Sequence, residues 1–203
     1  MDIRFFYTLG NFGAVLFFAL MAISAMQNWK QSNSLISLGI LVVNGLIVAV
    51  YLLPRPVDAI TRNPSAWIIG IVATIAGISY RPNSEFFVPA LSNIGNIMQI
   101  VGLTAVIGAL LSLRDSFGVV AANRGIKQDG FYRFVRHPLY SAELFFFCGY
   151  VFSNQSLINV MILIALIAAQ YSRSRIEENF LAQDPAYMLY LAKTRYRFIP
   201  GVV

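Results

Sequence analysis

Phe5 to Trp29 reads FFYTLGNFGAVLFFALMAISAMQNW, a run without a single charged residue. About 20 apolar residues suffice to cross the hydrocarbon core of a bilayer, so this run predicts a transmembrane helix. It begins almost at Met1 and exceeds the roughly 7 to 15 apolar residues of a secretory signal, which makes an uncleaved anchor the expectation. Outward from it, further apolar segments follow at Leu35 to Leu53, Ala66 to Tyr80, Ile94 to Leu113, Leu139 to Phe152 and Leu157 to Tyr171. Ala66 to Tyr80 and the last two are short. At 1.5 Å per residue they cover about 20 to 24 Å, so they extend into the interface, cross a thinned region or span incompletely. Ser153-Asn154-Gln155-Ser156 separates the last two and reads as the turn of a helical hairpin. The fold class is therefore all-α: a polytopic integral membrane protein of about five to six transmembrane helices, closing on a C-terminal hairpin and a polar tail.

Composition agrees. Of the 203 residues 58% are hydrophobic and 12% charged, with a mean hydropathy of +0.66, whereas a soluble domain carries about 25% charged residues. No linker, charge run or low-complexity tract marks a boundary, and residues 1–203 are read as a single membrane domain. The lone Cys148 cannot form an intramolecular disulfide, and neither a Cys-x-x-Cys pair nor a multi-His cluster is available to hold a metal. A net charge of +6 is compatible with nucleic-acid binding. The basic residues, however, lie in short segments between hydrophobic stretches, which fits membrane orientation instead.

With the N terminus inside and the segments alternating, one face receives Arg4, Arg55, Arg62, the basic residues from Arg114 to Arg136 and those from Arg173 to Arg197. Of the 15 basic residues the other face receives only Lys30 and Arg81. This is the bias of the positive-inside rule, and both termini are expected to be cytoplasmic. The same orientation brings the two most polar stretches, Arg114 to His137 and Arg173 to Val203, to one side at opposite ends of the hairpin, where they can meet.

The chemistry concentrates in those stretches. Gly125 to Tyr140, GIKQDGFYRFVRHPLY, holds the only histidine directly before a hydrophobic helix. Pro138 suits a first helical turn, which puts His137 at or near the N-cap, beside free backbone donors and the positive end of a helix dipole. A ligand carboxylate or ribose hydroxyl could be held there; an Arg-His pair anchored among lipid head groups accounts for the same spacing. Tyr140 and Glu143 follow on one face. A carboxylate inside an apolar helix is costly unless it faces protein or water, so Glu143 either pairs with Arg136 or Arg133 or serves a ligand. The second cluster is Arg173-Ser174-Arg175-Ile176-Glu177-Glu178-Asn179-Phe180-Leu181. If the last hydrophobic helix continues, Arg173 and Glu177 lie one turn apart on one stripe, as a functional pair or as an ordinary surface ion pair. Asp184-Pro185 then reads as a helix stop and restart, and Tyr187, Tyr190 and Tyr196 lead into Arg197-Phe198-Ile199-Pro200-Gly201.

Taken together, Gly130-Phe131-Tyr132-Arg133-Phe134-Val135-Arg136-His137-Pro138-Leu139-Tyr140, the hydrophobic hairpin, Arg173 with Glu177-Glu178 and Leu181, and Tyr187, Tyr190 and Arg197-Phe198-Ile199-Pro200 resemble the isoprenylcysteine carboxyl methyltransferase family and the related phospholipid N-methyltransferases. The resemblance implies an all-helical, membrane-embedded fold in which residues 114–203 form the cofactor-binding catalytic region and residues 1–113 supply transmembrane helices. It implies S-adenosylmethionine as cofactor, bound by His137, Leu139, Tyr140, Glu178, Arg197 and Pro200, with Arg173 and Glu177 facing the reacting centre. Ala142 departs from the pattern, since many relatives have glycine two residues after the tyrosine, and its methyl group could narrow the pocket. The first 110 residues carry no such signature, so the acceptor does not transfer with the family.

The residues themselves are compatible with this. There is no Gly-x-Gly-x-x-Gly element after a strand and no βαβ pattern, so a cofactor must sit at helix ends and loops. Methyl transfer from a sulfonium needs alignment, exclusion of water and a nucleophile in its reactive protonation state. Arg173 suits an anionic acceptor, whereas an amine acceptor needs a carboxylate such as Glu177 to take a proton. The expected function is methyl transfer to a lipid-like or amphipathic acceptor, a carboxylate, amine or thiol, that enters from the bilayer. A membrane reductase using NADPH and a non-catalytic transport or scaffold protein are the alternatives.

Overall fold

The computed structural model describes residues 3–53, 57, 59–82, 85 and 88–202; Met1 and Arg55 of the sequence reading lie outside the described residues. Among the described residues seven α-helices follow one another: α1 (Ile3–Ser32), α2 (Leu35–Leu52), α3 (Pro64–Ala76), α4 (Pro89–Leu113), α5 (Pro138–Ser153), α6 (Leu157–Leu181) and α7 (Pro185–Lys193). Each apolar segment of the sequence falls on one of the first six, although α3 ends at Ala76, four residues short of the expected Tyr80. Four of them, α1, α2, α4 and α6, are long and apolar enough to cross a membrane; α3 and α5 have 13 and 16 residues. The chain is an all-α integral membrane protein. Its outward faces carry Phe12, Ile97, Met161 and Ile164, all more than half exposed. Such apolar surface suits lipid as solvent, because each helix satisfies its own backbone hydrogen bonds.

Local chemistry sets the helix boundaries. α3, α4, α5 and α7 each begin with proline, where the missing N–H costs nothing. Asn63 caps α3, its Oδ1 accepting from Ser65 N at 3.0 Å, and Asp184 caps α7, its Oδ1 accepting from Ala186 N at 2.9 Å. Asp184-Pro185 is thus the stop and restart expected of it. Residues 154–156 form the hairpin turn between α5 and α6.

α4 and α5 lie against each other through glycines. A Cβ on Gly149 would meet Gly95 O at 2.7 Å and Gln99 N at 2.8 Å, and one on Gly102 would meet the Phe146 backbone at 2.8 Å. Helices in lipid gain little from apolar burial against each other and associate by close backbone packing, for which small residues are needed. Gly149→Ala is therefore expected to destabilise the protein by about 1–3 kcal/mol through overpacking against backbone that cannot rotate away. The check is the thermal unfolding midpoint in detergent, and an unchanged midpoint would contradict this packing. Phe18, Ile47, Val106, Leu110, Leu139 and Tyr140 belong to the core cluster beside this seam.

The six bundle helices alternate in direction, so their connections fall at two ends. At one end Asn159, fully buried, donates to Arg81 O and accepts from Arg81 N, while Ser156 Oγ and Leu157 N donate to the Glu85 carboxylate. At the other end a two-residue strand, β1 (Ala59–Ile60), pairs antiparallel with β2 (Ala122–Asn123), matching Ala59 to Asn123 and Ile60 to Ala122. The loop 114–137 and the segment after α6 share this second end, and that is where the polar chemistry sits.

Candidate active site

His137 is the N-cap of α5 and Pro138 its first residue. The C-terminal segment runs alongside this helix start: Arg136 N donates to Tyr196 O and His137 N to Arg197 O, both at 2.9 Å, and Ser141 Oγ donates to Phe198 O at 2.7 Å. The second polar stretch thus lies directly on the first.

Glu178 joins them. Its Oε1 contacts His137 Nε2 at 3.0 Å and accepts from Arg197 Nε at 3.0 Å; its Oε2 accepts from Arg136 Nη1 at 3.2 Å and Arg197 Nη2 at 2.7 Å. A carboxylate only accepts, so the His137 contact requires the proton on Nε2. The Arg197 pair is bidentate, the strong geometry for this ion pair, and the charge of Glu178 holds the Arg197 guanidinium more firmly protonated than usual through that hydrogen bond. Two guanidiniums meet one carboxylate, which leaves this corner net positive.

Arg173 and Glu177, one turn apart on α6, meet around Tyr140. The Tyr140 hydroxyl donates to Glu177 Oε2 at 2.8 Å, and the Arg173 guanidinium lies 4.9 Å from the centre of the Tyr140 ring. Arg173 Nη2 also donates to Gly118 O and Val119 O at 3.1 and 2.8 Å. The His137 ring stacks on Tyr140, with centroids 5.2 Å apart and planes inclined by 6°.

Arg136, His137, Leu139, Tyr140, Arg173 and Glu177 line one cavity together with Gly118, Arg124, Tyr132, Tyr187 and Tyr190. Burial pushes the phenols of Tyr132, Tyr187 and Tyr190 well above their ordinary range, so they remain neutral hydrogen-bonding groups. Tyr190 donates to Tyr132 O at 2.7 Å. The Arg136 Nε–H is buried and without a partner, an unused donor beside the net positive corner. The expected site residues thus fall into two groups. His137, Leu139, Tyr140, Arg173 and Glu177 line the cavity, while Glu178 and Arg197 form the clamp next to it and Pro200 is exposed beyond them. Ala142, read as a methyl group that could narrow the pocket, belongs to the buried core cluster. Glu143 differs from its expected pairing with Arg136 or Arg133: Gln170 Nε2 donates to it at 2.6 Å, because α6 rather than the loop faces that side of α5.

The sequence reading missed the contribution of the first two helices. Tyr51 Oη accepts from Val119 N at 2.9 Å, and Tyr7 Oη accepts from Arg124 Nε and Nη2 at 3.1 and 2.9 Å. These phenols fasten the loop that carries the Gly118 and Val119 carbonyls under Arg173. A Cβ on Gly118 would run into the Arg124 guanidinium, so a side chain there would have to displace the end of that arginine from its hydrogen bonds to Tyr7. Interfacial tyrosines are common in membrane helices, and neither Tyr7 nor Tyr51 stands in a motif that would single it out.

Among curated proteins none matches the chain. Residues 86–184, which hold α4, the long loop, α5 and α6, match the family model described as phospholipid methyltransferase, so this half of the chain is similar to the integral membrane methyltransferases.

Proposed function

We propose that the protein transfers the methyl group of S-adenosylmethionine to a lipid-like or amphipathic acceptor at the cytoplasmic face of the membrane. The observation that carries the proposal is the closure of the Arg136-His137-Pro138-x-Tyr140 element on the Arg173-x-x-x-Glu177-Glu178 element around one cavity. Two polar stretches about 40 residues apart in the chain would not be built into a shared pocket merely to anchor in head groups.

The donor set fits the cofactor. Its amino-acid carboxylate would be held by the unpartnered Arg136 Nε–H in the net positive corner, and its ring and ribose by the aromatic and hydroxyl groups of Tyr132, Tyr187 and Tyr190. When bound, the sulfonium supplies an electrophilic methyl group. His137, Leu139 and Tyr140 form the wall along which the cofactor is oriented. Glu178 and Arg197 act from behind by fixing the His137 ring and the Arg136 guanidinium, and Pro200 follows as the tail leaves this clamp. Arg173, over the Tyr140 ring, and Glu177, at its hydroxyl, face the point of transfer: the guanidinium orients the acceptor and the carboxylate takes a proton where the acceptor carries one. Apart from Lys30 and Arg81, the described basic residues of loops and termini gather at the end of the bundle that holds this site. By the positive-inside rule that end, with both termini, is cytoplasmic.

The test is incubation of purified protein and native lipid extract with methyl-labelled S-adenosylmethionine, followed by mass spectrometry of the labelled species, with NADPH in a parallel arm. Label in a lipid supports the proposal; no bound cofactor and no label, or NADPH-dependent chemistry, overturns it. Tyr140→Phe, which removes the hydrogen bond to Glu177, is expected to weaken cofactor binding by a few-fold, in line with about 0.5–1.5 kcal/mol for one hydrogen bond. Undiminished affinity would take Tyr140 out of the cofactor site.

A further inference from the structure

Arg173 is held in place from the part of the molecule that lies outside the family match. Its Nη2 donates to Gly118 O at 3.1 Å and to Val119 O at 2.8 Å, which leaves Nε and Nη1 for the cavity that Arg173 lines. Gly118 O belongs to the peptide unit whose N–H is that of Val119, and this N–H donates to Tyr51 Oη at 2.9 Å. The unit is trans, so it is planar and its C=O and N–H point to opposite sides. The phenol on α2 and the guanidinium on α6 therefore grip one rigid plate by its two edges. Turning the plate weakens both bonds together. The bonds also strengthen each other, because an N–H engaged by an acceptor makes the carbonyl of the same peptide a better acceptor.

Packing fixes the outer ends of this arrangement. The Tyr51 ring stacks on Phe18, with centroids 6.5 Å apart and planes inclined by 18°, and meets Phe117 in a T-shaped contact at 5.8 Å and 86°. Phe18 and Phe117 are both buried, so the rings that seat Tyr51 have little freedom to move. The second carbonyl, Val119 O, lies against α3: a Cβ on Gly70 would stand 2.6 Å from it. Only glycine lets a helix backbone come this close. Val119 O is thus confined by α3 while it accepts from Arg173.

We infer that Tyr51 and Gly70 are positioning residues, which aim the Arg173 guanidinium through the Gly118 and Val119 peptide units. By this route α2 and α3, helices outside residues 86–184, set the geometry at the point of transfer. What Arg173 does there rests on the methyltransferase reading above; the linkage from Tyr51 to Arg173 does not.

The experiment has one readout for the linkage and one for its consequence. Tyr51→Phe keeps the ring and its contacts with Phe18 and Phe117 but removes the acceptor for Val119 N–H. Hydrogen exchange of the protein in detergent is expected to show lost protection at the Val119 amide. Turnover is measured at saturating methyl-labelled S-adenosylmethionine with native lipid extract, in the wild type, Tyr51→Phe, Arg173→Ala and the double variant. Tyr51→Phe is expected to lower turnover about three- to tenfold, the range for one hydrogen bond, with cofactor Kd unchanged. In the Arg173→Ala background the same change should cost nothing further, because the group it aims is gone. Gly70→Ala, which pushes on Val119 O, should show the same dependence on Arg173. An equal fold-loss in both backgrounds overturns the inference, since it marks a structural role independent of Arg173. Unaltered protection of the Val119 amide in Tyr51→Phe overturns it as well. If the wild type neither binds the cofactor nor transfers label, the methyltransferase reading fails, and the Val119 amide still decides whether the linkage exists.

Discussion

Glu178→Ala is expected to release the C-terminal segment from the start of α5. The carboxylate is the shared acceptor for Arg136, His137 and Arg197, each of whose side chains is less than one-fifth exposed. Removing one partner of a buried ion pair costs about 3–5 kcal/mol, chiefly because the remaining charges stay desolvated without compensation. Two guanidiniums would be left facing each other beside the His137 ring. The tail can relieve this by moving into solvent, where Arg197 is hydrated, at the cost of the backbone hydrogen bonds from Arg136 N and His137 N to Tyr196 O and Arg197 O. Hydrogen exchange at the Arg136 and His137 amides reads the change directly: both should lose protection, and labelled cofactor should bind more weakly. Glu178→Gln keeps the shape and one acceptor oxygen and should fall between the two. Full protection of both amides in Glu178→Ala would show that the tail is held by something other than this clamp.

Arg173→Ala should act on turnover instead. Arg173 lines the cavity beside Tyr140, its guanidinium 4.9 Å from the centre of that ring. Its loss should leave cofactor affinity nearly intact while reducing turnover more than tenfold, about 1.4 kcal/mol or more of transition-state stabilisation. Part of the effect would come through position, because the guanidinium also holds the Gly118 and Val119 carbonyls and packs on the Tyr140 ring. Arg173→Lys separates the contributions: an ammonium keeps the charge but cannot reproduce the planar fork over the ring. Equal turnover in wild type and Arg173→Ala, measured at saturating cofactor, would remove this residue from the site.

The features legible in the sequence are those that each segment settles alone. The uncharged run from Phe5 to Trp29 must be helical in lipid because no water is available to its backbone, whatever it packs against. Pro138, Pro185 and the polar Ser153 to Ser156 turn likewise act on their own neighbours, and the helices begin and end where these residues require. Alternation of the segments brings the two polar stretches that carry His137, Tyr140, Arg173 and Glu177 to one end of the bundle, whereas it is the packing that sets these four side chains around one cavity. Glu143 illustrates where that logic stops: its helix was evident, yet three residues along α5 from Tyr140 it could have faced the loop arginines or α6. Tyr7 and Tyr51 show the same from the other side, since nothing near them in the chain reveals that they fasten Val119 and Arg124.

Hydrophobic length, charge distribution and proline position therefore dictate the number of helices, their limits and which end of the bundle is basic, because a bilayer imposes those requirements on every segment separately. The pairing of Glu178 with three cations, of Glu143 with Gln170, and the close seam of Gly95 and Gly149 belong to the packed molecule. They depend on side chains from distant parts of the chain approaching within a few ångströms, and that distance is set by how the helices fit together.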